Sequence, residues 1–507
     1  MKRLQSFVVT AAALLFLALP ALSANAAGPQ PVVLKFAQAA PARVSINIYD
    51  VTGQLVRRVL DQDMTTGDHS VTWDGVADNG RTIGPGLYFT KIQVGSAVFQ
   101  GRIAVAGGVM TTANSGARPV AIPEKRRQNI AAAGVLYVES NDPRPGMNAI
   151  LAYRRSADGS LSPLPGTPFL TGGAGVGDPT QALGPLDSDQ EIVVSDDHQM
   201  LFAVNSGSNT IAVFDIASDG SLASVAGSPF PSGGINPVSL GLAGDKLYVV
   251  NKNMDPGQEG APGLPNYTGF RVRQSGELSP IPNSTATAPP GSSPTQALIA
   301  PNDRLMFGAD FFAGDLRAFR IEPSGRLQEA PGSPQKLPSF VPPPALPLGL
   351  AAHPSLNLLY VGFVTADSIG VYRYDSTTGA LTFLHVADDS GSAPCWIIVN
   401  QPGSAAYVVN TGDNSVSFYS LANPEMPLET QHLIMQGPGM PFQEALDPSA
   451  RFLYVVSQRT TIDPTDLTGN VLHTLLVAPD GTITEAPFSP LALPVPYFAR
   501  PQGIVVL

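Results

Sequence analysis

LYVVN, at residues 247–251, decides the fold, because the stretch recurs with variation along most of the chain. The related runs are LYVES at Leu136, LFAVN at Leu201, LMFGA at Leu305, LLYVG at Leu358, AYVVN at Ala406 and LYVVS at Leu453, seven in all with Leu247. A second β-rich run follows each, such as NTIAVFDI (209–216), DLRAFRI (315–321), SIGVYRY (368–374) or NSVSFYS (414–420). Then come a polar turn and a short strand, as in SDGSLASVAGSPF (218–230). A Pro-led apolar strand and a tight turn close the unit, as in SPTQALIAPNDR (293–304). A period of about 50 residues with four short strands predicts an all-β, seven-bladed propeller over 134–507.

The register also predicts how the ring closes. The first unit, entering at GVLYVES (134–140), lacks its Pro-led strand, while RPQGIVVL (500–507) is left over at the other end. The C-terminal strand is therefore expected to become the innermost strand of the first blade, which removes an open sheet edge.

Composition agrees with a turn-rich β protein: 50 Gly and 49 Pro in 507 residues, with only 14% charged. Lys2 and Arg3, an apolar run from Phe7 to Leu22 and Ala24-Asn25-Ala26 read as a secretory signal cleaved after Ala26. That reading predicts a secreted or periplasmic protein with no membrane span after cleavage. Removing Lys2 and Arg3 from 29 basic residues leaves 27 against 40 acidic, a net charge of −13. So acidic a balance argues against nucleic acid as a partner. Cys395 is the single cysteine, so no internal disulfide forms.

Residues 31–107 read as a separate β domain. ARVSINIYDVTGQLVRRVL (42–60) alternates apolar and polar residues around Thr52-Gly53, a hairpin signal. HSVTWDG (69–75), an ADNGR turn (77–81) and GPGLYFTKIQV (84–94) follow. Asp74 and Asp78 read as turn-stabilising side chains rather than cation ligands. Tyr49, Asp50, Gly53, Val56 and Arg57, then Trp73-Asp74-Gly75, Gly80, Gly86 and Tyr88, resemble the Ig-like β-sandwich domain of the flagellar hook-capping protein. The resemblance implies a spacer or assembly module. Residues 108–133, with Lys125-Arg126-Arg127, read as an exposed linker.

The YVVN and IAVF runs resemble the YVTN-type propellers, and within them the lactonase family that includes bacterial 6-phosphogluconolactonases. In enzymatic members a Pro-Arg-His start on one inner strand precedes Tyr-Val-x-Asn-Glu. Here the matching residues are Pro394-Cys395-Trp396 and Tyr407-Val408-Val409-Asn410-Thr411, so the Arg, the His and the Glu are all replaced. A second family pattern heads the preceding inner strand with His, where this chain has Ser293-Pro294-Thr295-Gln296; Asp310 and Arg317 match its downstream acid and base. Lactone chemistry needs a general acid/base and a cation for oxyanion charge. The resemblance thus implies the fold more strongly than the activity.

Replacement chemistry is sparse. No Gly-x-Ser-x-Gly elbow occurs, the six His are scattered without metal-ligand spacing, and no cofactor motif is present. Ser333 and Lys336 have Ser-x-x-Lys spacing within a Pro-rich turn. Cys395 reads as an inert thiol at the head of an inner strand. Asp463, Asp466 and Asn470 form a loose oxygen-ligand pattern, read as a polar loop in preference to a metal site. Arg144, Asp310, Arg317, Arg459 and Arg500 are the candidates for a basic-acidic cluster in the funnel.

Loop length is the remaining signal. Turns leaving the inner strands are short, such as LAGDK (242–246) and DPSAR (447–451). The long connections, including NKNMDPGQEGAPGLPNY (251–267), PSFVPPPALP (338–347) and LALPVPYFARP (491–501), all fall at the opposite end. They are expected to form a binding face carrying Asp142, Arg144, Asp255, Glu259, Tyr267, Phe340, Asp463, Asp466, Tyr497 and Phe498. The expected partner is a small molecule, a carbohydrate or an extracytoplasmic protein. The alternatives are a lactone hydrolase with a non-standard active site and a structural surface protein.

Overall fold

The structure, a computed structural model, describes residues 31–38, 42–50, 54–65, 67–84, 86–94, 97–106, 109–113, 134–177, 187–258, 260–460 and 468–507. The expected signal segment lies outside them. The chain divides into two compact units, Met1–Pro123 and Glu124–Leu507.

The first unit is a pair of packed sheets. Val32–Gln38 pairs with Gly67–Trp73, and five strands run in the order Leu55–Met64, Ala42–Tyr49, Gly86–Val94, Ala97–Ala106, Val109–Ala113. The expected hairpin about Thr52-Gly53 is the pairing of Ala42–Tyr49 with Leu55–Met64. Its period-two pattern turns Val44, Ile46 and Ile48 into the core beside Trp73, Ile103 and Val105. Asp74 accepts the Val76 N–H at 3.1 Å, and Asp78 accepts the Arg58 N–H at 3.2 Å, so both hold turns. The strand Val109–Ala113 carries this sheet into the stretch read from sequence as linker.

Among the described residues the second unit contains seven sheets, each with a path of four antiparallel strands. They are numbered as blades 1 to 7 by the second strand: Val135–Glu139, Met200–Asn205, Lys246–Asn251, Leu305–Asp310, Leu358–Phe363, Ala405–Asn410 and Phe452–Gln458. Among the described residues the helical pieces are two 3-10 turns, Pro256–Gln258 and Val364–Ala366. The second strands are buried almost throughout, because each is covered on both faces by neighbouring blades. That is why they read as continuous apolar runs.

The recurring Tyr has a specific task. Tyr137, Tyr248, Tyr407 and Tyr454 each donate their hydroxyl to a Gly carbonyl in the polar turn of the next blade, Gly220, Gly325, Gly481 and Gly159, at 2.8–3.0 Å. The turn glycine takes φ 88° at Gly220, a left-handed conformation that suits glycine. The terminal Asn of the motif works at the other end. Asn251 Nδ2 donates to Ser232 O and Asn266 Oδ1, and Asn410 Nδ2 donates to Asp389 and Ser415. These bonds root the long loops.

Ring closure follows the expected register. Gln502–Val506 pairs with the second strand of blade 1, Ile504 opposite Val138 and Val506 opposite Leu136. Gly134 N–H donates to Leu507 O and Leu507 N–H to Val135 O, at 2.6 and 2.8 Å.

Candidate functional site

Each inner strand presents an unpaired backbone edge to the ring axis, and buried edges need partners. Side chains from the preceding blade supply several. Ser239 Oγ accepts the Ala297 N–H at 3.0 Å. The Gln296 amide accepts the Leu350 N–H at 2.7 Å and donates to Leu350 O at 3.0 Å. Gln443 accepts the Gly503 N–H. Below this layer lies a cavity of 440 Å³ lined by Ile192, Leu298, Leu350, Ile398, Ala445 and Val505, among others. Lining residues near the short turns, such as Val194, Ala352, Val399 and Val506, are partly exposed, whereas Trp396 and Gln443 at the other end are buried. The funnel is thus accessible from the short-turn face.

At the long-loop face the chain closes the funnel with its own backbone, the segment Asp187–Glu191 leading into blade 2. Lys252 of blade 3 donates its ammonium to Asp187 O at 2.6 Å. Trp396 of blade 6 and Gln443 of blade 7 both donate to Ser188 O, at 2.8 and 3.0 Å. From blade 4, Thr295 O accepts the Asp189 N–H at 3.3 Å, and Gln296 donates to Asp189 Oδ2 at 3.2 Å and Gln190 Oε1 at 3.0 Å. Ser188 Oγ and Gln443 hold the Glu191 carboxylate. Trp396 itself is braced on Phe442 at 4.2 Å between ring centroids. The positions that carry His in the lactonase pattern are here the anchors of a plug.

Burial sets the electrostatics. It pushes the Asp189 carboxyl up to about 7. Burial, then the Asp189 charge, pushes Glu191 up to about 8. Burial also lifts Glu139 and Glu444 well above the usual carboxylate range and lowers Lys252 to about 8. Both Glu444 carboxylate oxygens are shielded from solvent, and the Ile398 backbone amide faces them. Asp189, at the plugged end, and Glu444 are the ionisable residues among those lining the cavity, so its lining carries acid and no Lys or Arg. Burial pushes Cys395 up to about 12, which keeps it a thiol at neutral pH.

Asp310 and Arg317 are together, both buried, with Arg317 Nε 3.8 Å from Asp310 Oδ2 and Nη1 3.3 Å from Glu329. Asp310 Oδ1 also accepts the Ser293 N–H at 2.7 Å, so the pair braces blade 4. The arginines gather elsewhere, at the seam of blades 7 and 1. Arg144 binds Asp142 at 2.6 Å and lies over the Phe498 ring at 5.4 Å. Phe498 packs on Tyr497, Arg459 lies over Tyr497 at 5.6 Å, and Arg500 donates to Arg459 O at 2.8 Å. This cluster belongs to the long-loop face.

Tyr267 does not. It is fully buried against Phe319 at 5.0 Å, and its place on the binding face is corrected: it is the second residue of the strand Asn266–Val272 and points inward. Phe340 is 51% exposed, over Phe383 at 5.8 Å. Asp255 accepts from Gln258 at 2.6 Å. Asn470 is engaged by the Arg459 N–H and Ala499 O. Glu259, Asp463 and Asp466 lie outside the described residues. A groove of 560 Å³ runs over this face, lined by Pro143, Pro145, Gly173, Ser208, Asp255 and Gln258 with neighbouring glycines. Sequence reading passed over Lys252, Asp189, Glu191 and Gln443. The one signal was polar residues flanking apolar strands, as in DQEIVV (189–194).

Residues 21–97 match the family described as the FlgD Ig-like domain. No curated protein matches the chain. Among solved structures, it is similar to a putative 6-phosphogluconolactonase from Bacteroides fragilis, at 15% identity and TM-score 0.55, over 74% of this chain and 98% of that one. A periplasmic gluconolactonase from Pseudomonas aeruginosa is similar at 17% identity and TM-score 0.55, over 74% and 100%. A putative 6-phosphogluconolactonase from Bacteroides uniformis is similar at 14% identity and TM-score 0.55, over 73% and 99%. Identities this low speak to the fold alone. The chain therefore joins a FlgD-type Ig-like domain to an all-β propeller of lactonase-like fold.

Proposed function

We propose that this is an exported binding protein whose propeller does not perform lactonase chemistry and takes a carbohydrate on its long-loop face. The plug is the observation that carries the reading: Asp187–Glu191 fills the mouth where the lactonase pattern places its reacting groups, and Trp396 and Gln296 hold it there. The groove between Pro143 and Gln258 is lined by the half-buried Asp255 and Gln258 side chains, whose oxygens can accept from sugar hydroxyls. Tyr497, 40% exposed beside Phe498 and Arg144, offers an adjoining aromatic face. Export is supported by the charged, apolar and Ala-x-Ala order of residues 1–26. No helix among the described residues is long and apolar enough to cross a membrane.

Two assays on the purified chain without residues 1–26 test this. In the first, 6-phosphogluconolactone and gluconolactone are expected to hydrolyse at their spontaneous rates. Turnover in the ordinary enzyme range, about 1–10³ s⁻¹, would establish the competing hydrolase reading, towards which the two putative 6-phosphogluconolactonases lean. In the second, a polysaccharide panel is expected to yield a ligand whose affinity drops at least tenfold in Tyr497→Ala. Failure of every glycan to bind, or binding unaffected by Tyr497→Ala, removes the carbohydrate from the proposal.

A further inference from the structure

Outside the funnel, three ligating side chains meet where blade 5 hands over to blade 6. Asp389 follows the outer strand Leu381–Asp388, and Glu429 and His432 stand on the outer strand Leu428–Ile434. One ligand atom from each lies within 4.8 Å of the others. Strand register produces the meeting: Ser417 lies opposite His432, Tyr419 lies opposite Glu429, and both Ser417 and Tyr419 donate to Asp389.

The hydrogen bonds leave donor atoms open. Asp389 is held in place, Oδ1 accepting from Gly391 N–H, Asn410 and Ser417 at 2.7–3.0 Å and Oδ2 from Tyr419 at 2.9 Å. Glu429 Oε2 accepts the Ser390 N–H and hydroxyl at 2.9 and 2.8 Å. Its Oε1 is shielded from solvent yet has no hydrogen-bond partner. His432 Nε2 lies 3.5 Å from Asp413 Oδ2, which favours a proton on that nitrogen. Nδ1 then carries a lone pair. Its near neighbour, Ser417 Oγ at 3.5 Å, already spends its proton on Asp389. A carboxylate orienting the far nitrogen of an imidazole is a recurrent support for a ligating His. Asp389 and Glu429 form no ion pair with Lys or Arg among the described residues.

We propose that Asp389, Glu429 and His432 bind one divalent transition-metal ion, with water completing the shell. One imidazole nitrogen and two carboxylates suit zinc, whereas an imidazole disfavours calcium and magnesium. Ligand atoms in a tetrahedral zinc site stand roughly 3.4 Å apart, so the half-buried Glu429 and His432 close inward on binding. The ion clasps the blade 5-to-6 connection to the outer edge of blade 6.

The test uses the full mature chain, stripped with EDTA and titrated with Zn²⁺ by calorimetry and with Co²⁺ by absorption spectroscopy. One equivalent is expected, with the intense visible bands of four-coordinate Co²⁺. Glu429→Gln and His432→Ala should each weaken affinity at least tenfold. Asp413→Asn, which leaves the ligands in place, should weaken it about 10–100-fold. Lack of saturable binding, or binding unchanged in His432→Ala, overturns the proposal. Should a ligand variant fail to fold, the Co²⁺ spectrum of the parent chain decides: octahedral, weakly absorbing Co²⁺ counts against the site.

Discussion

Asp189 and Glu191 sit in the plug with their carboxyls pushed up to about 7 and about 8 by burial. A group whose folded pKa exceeds its unfolded one binds its proton more tightly when folded. Its contribution to stability is therefore complete below the unfolded value, near 4, and is lost as pH rises through the folded value. Lys252, lowered to about 8, acts in the opposite sense, but its window lies above that of Asp189. Between pH 5 and 7 the carboxyls dominate. Unfolding free energy from urea titrations should fall across that range by up to about 1.4 kcal/mol per pH unit per group. The Asp189→Asn/Glu191→Gln double variant should flatten the slope. An equal slope in parent and variant would show that the plug carboxyls are ionised throughout.

At the level of elements, the inner strand Gln502–Val506 joins the first and last segments of the propeller. Without it the buried second strand of blade 1 becomes an open edge, and Gln443 loses the Gly503 N–H. Deleting residues 501–507 should lower Tm by about 10 °C or more, since several kcal/mol are lost at roughly 2–4 °C for each. Circular dichroism melts of the shortened and parent chains check this. Equal melting temperatures would mean that blade 1 stands without its closing strand. The Tyr-to-Gly bonds between blades explain how such a ring coheres although each sheet touches only its neighbours: each ties the second strand of one blade to the outer turn of the next.

For the molecule as a whole, the first expectation to check is the address. Export with cleavage after Ala26 predicts that protein recovered from outside the cytoplasm begins at Ala27, as read by N-terminal sequencing. A recovered chain still starting at Met1 would remove the export reading. The propeller's two faces are unlike. The long-loop face is plugged and bears the groove and the Arg144–Phe498 cluster, while the short-turn face opens on an aliphatic cavity under Glu444. A lactonase-like fold thus keeps its frame while Asp187–Glu191 occupies the long-loop end of its axis.

The repeat, an all-β propeller, the closing strand and the Ig-like hairpin are legible in the sequence alone. Those depend on local periodicity and turn chemistry, which the chain writes out residue by residue. It also marked the losses at Cys395, Trp396, Gln296 and Thr411. What replaced them was decided only in three dimensions. Lys252, Trp396, Gln296 and Gln443 lie in four different blades, yet their side chains meet Asp187–Glu191 at the ring axis. Tyr267 was misplaced for a related reason: a residue at a strand's first turn can face loop or core, and its burial against Phe319 depends on a different blade. Asp389, Glu429 and His432 converge only because strand register stacks Ser417 and Tyr419 between them. Periodicity sets which face of a strand is apolar. Which polar groups then meet is set by closure of the ring.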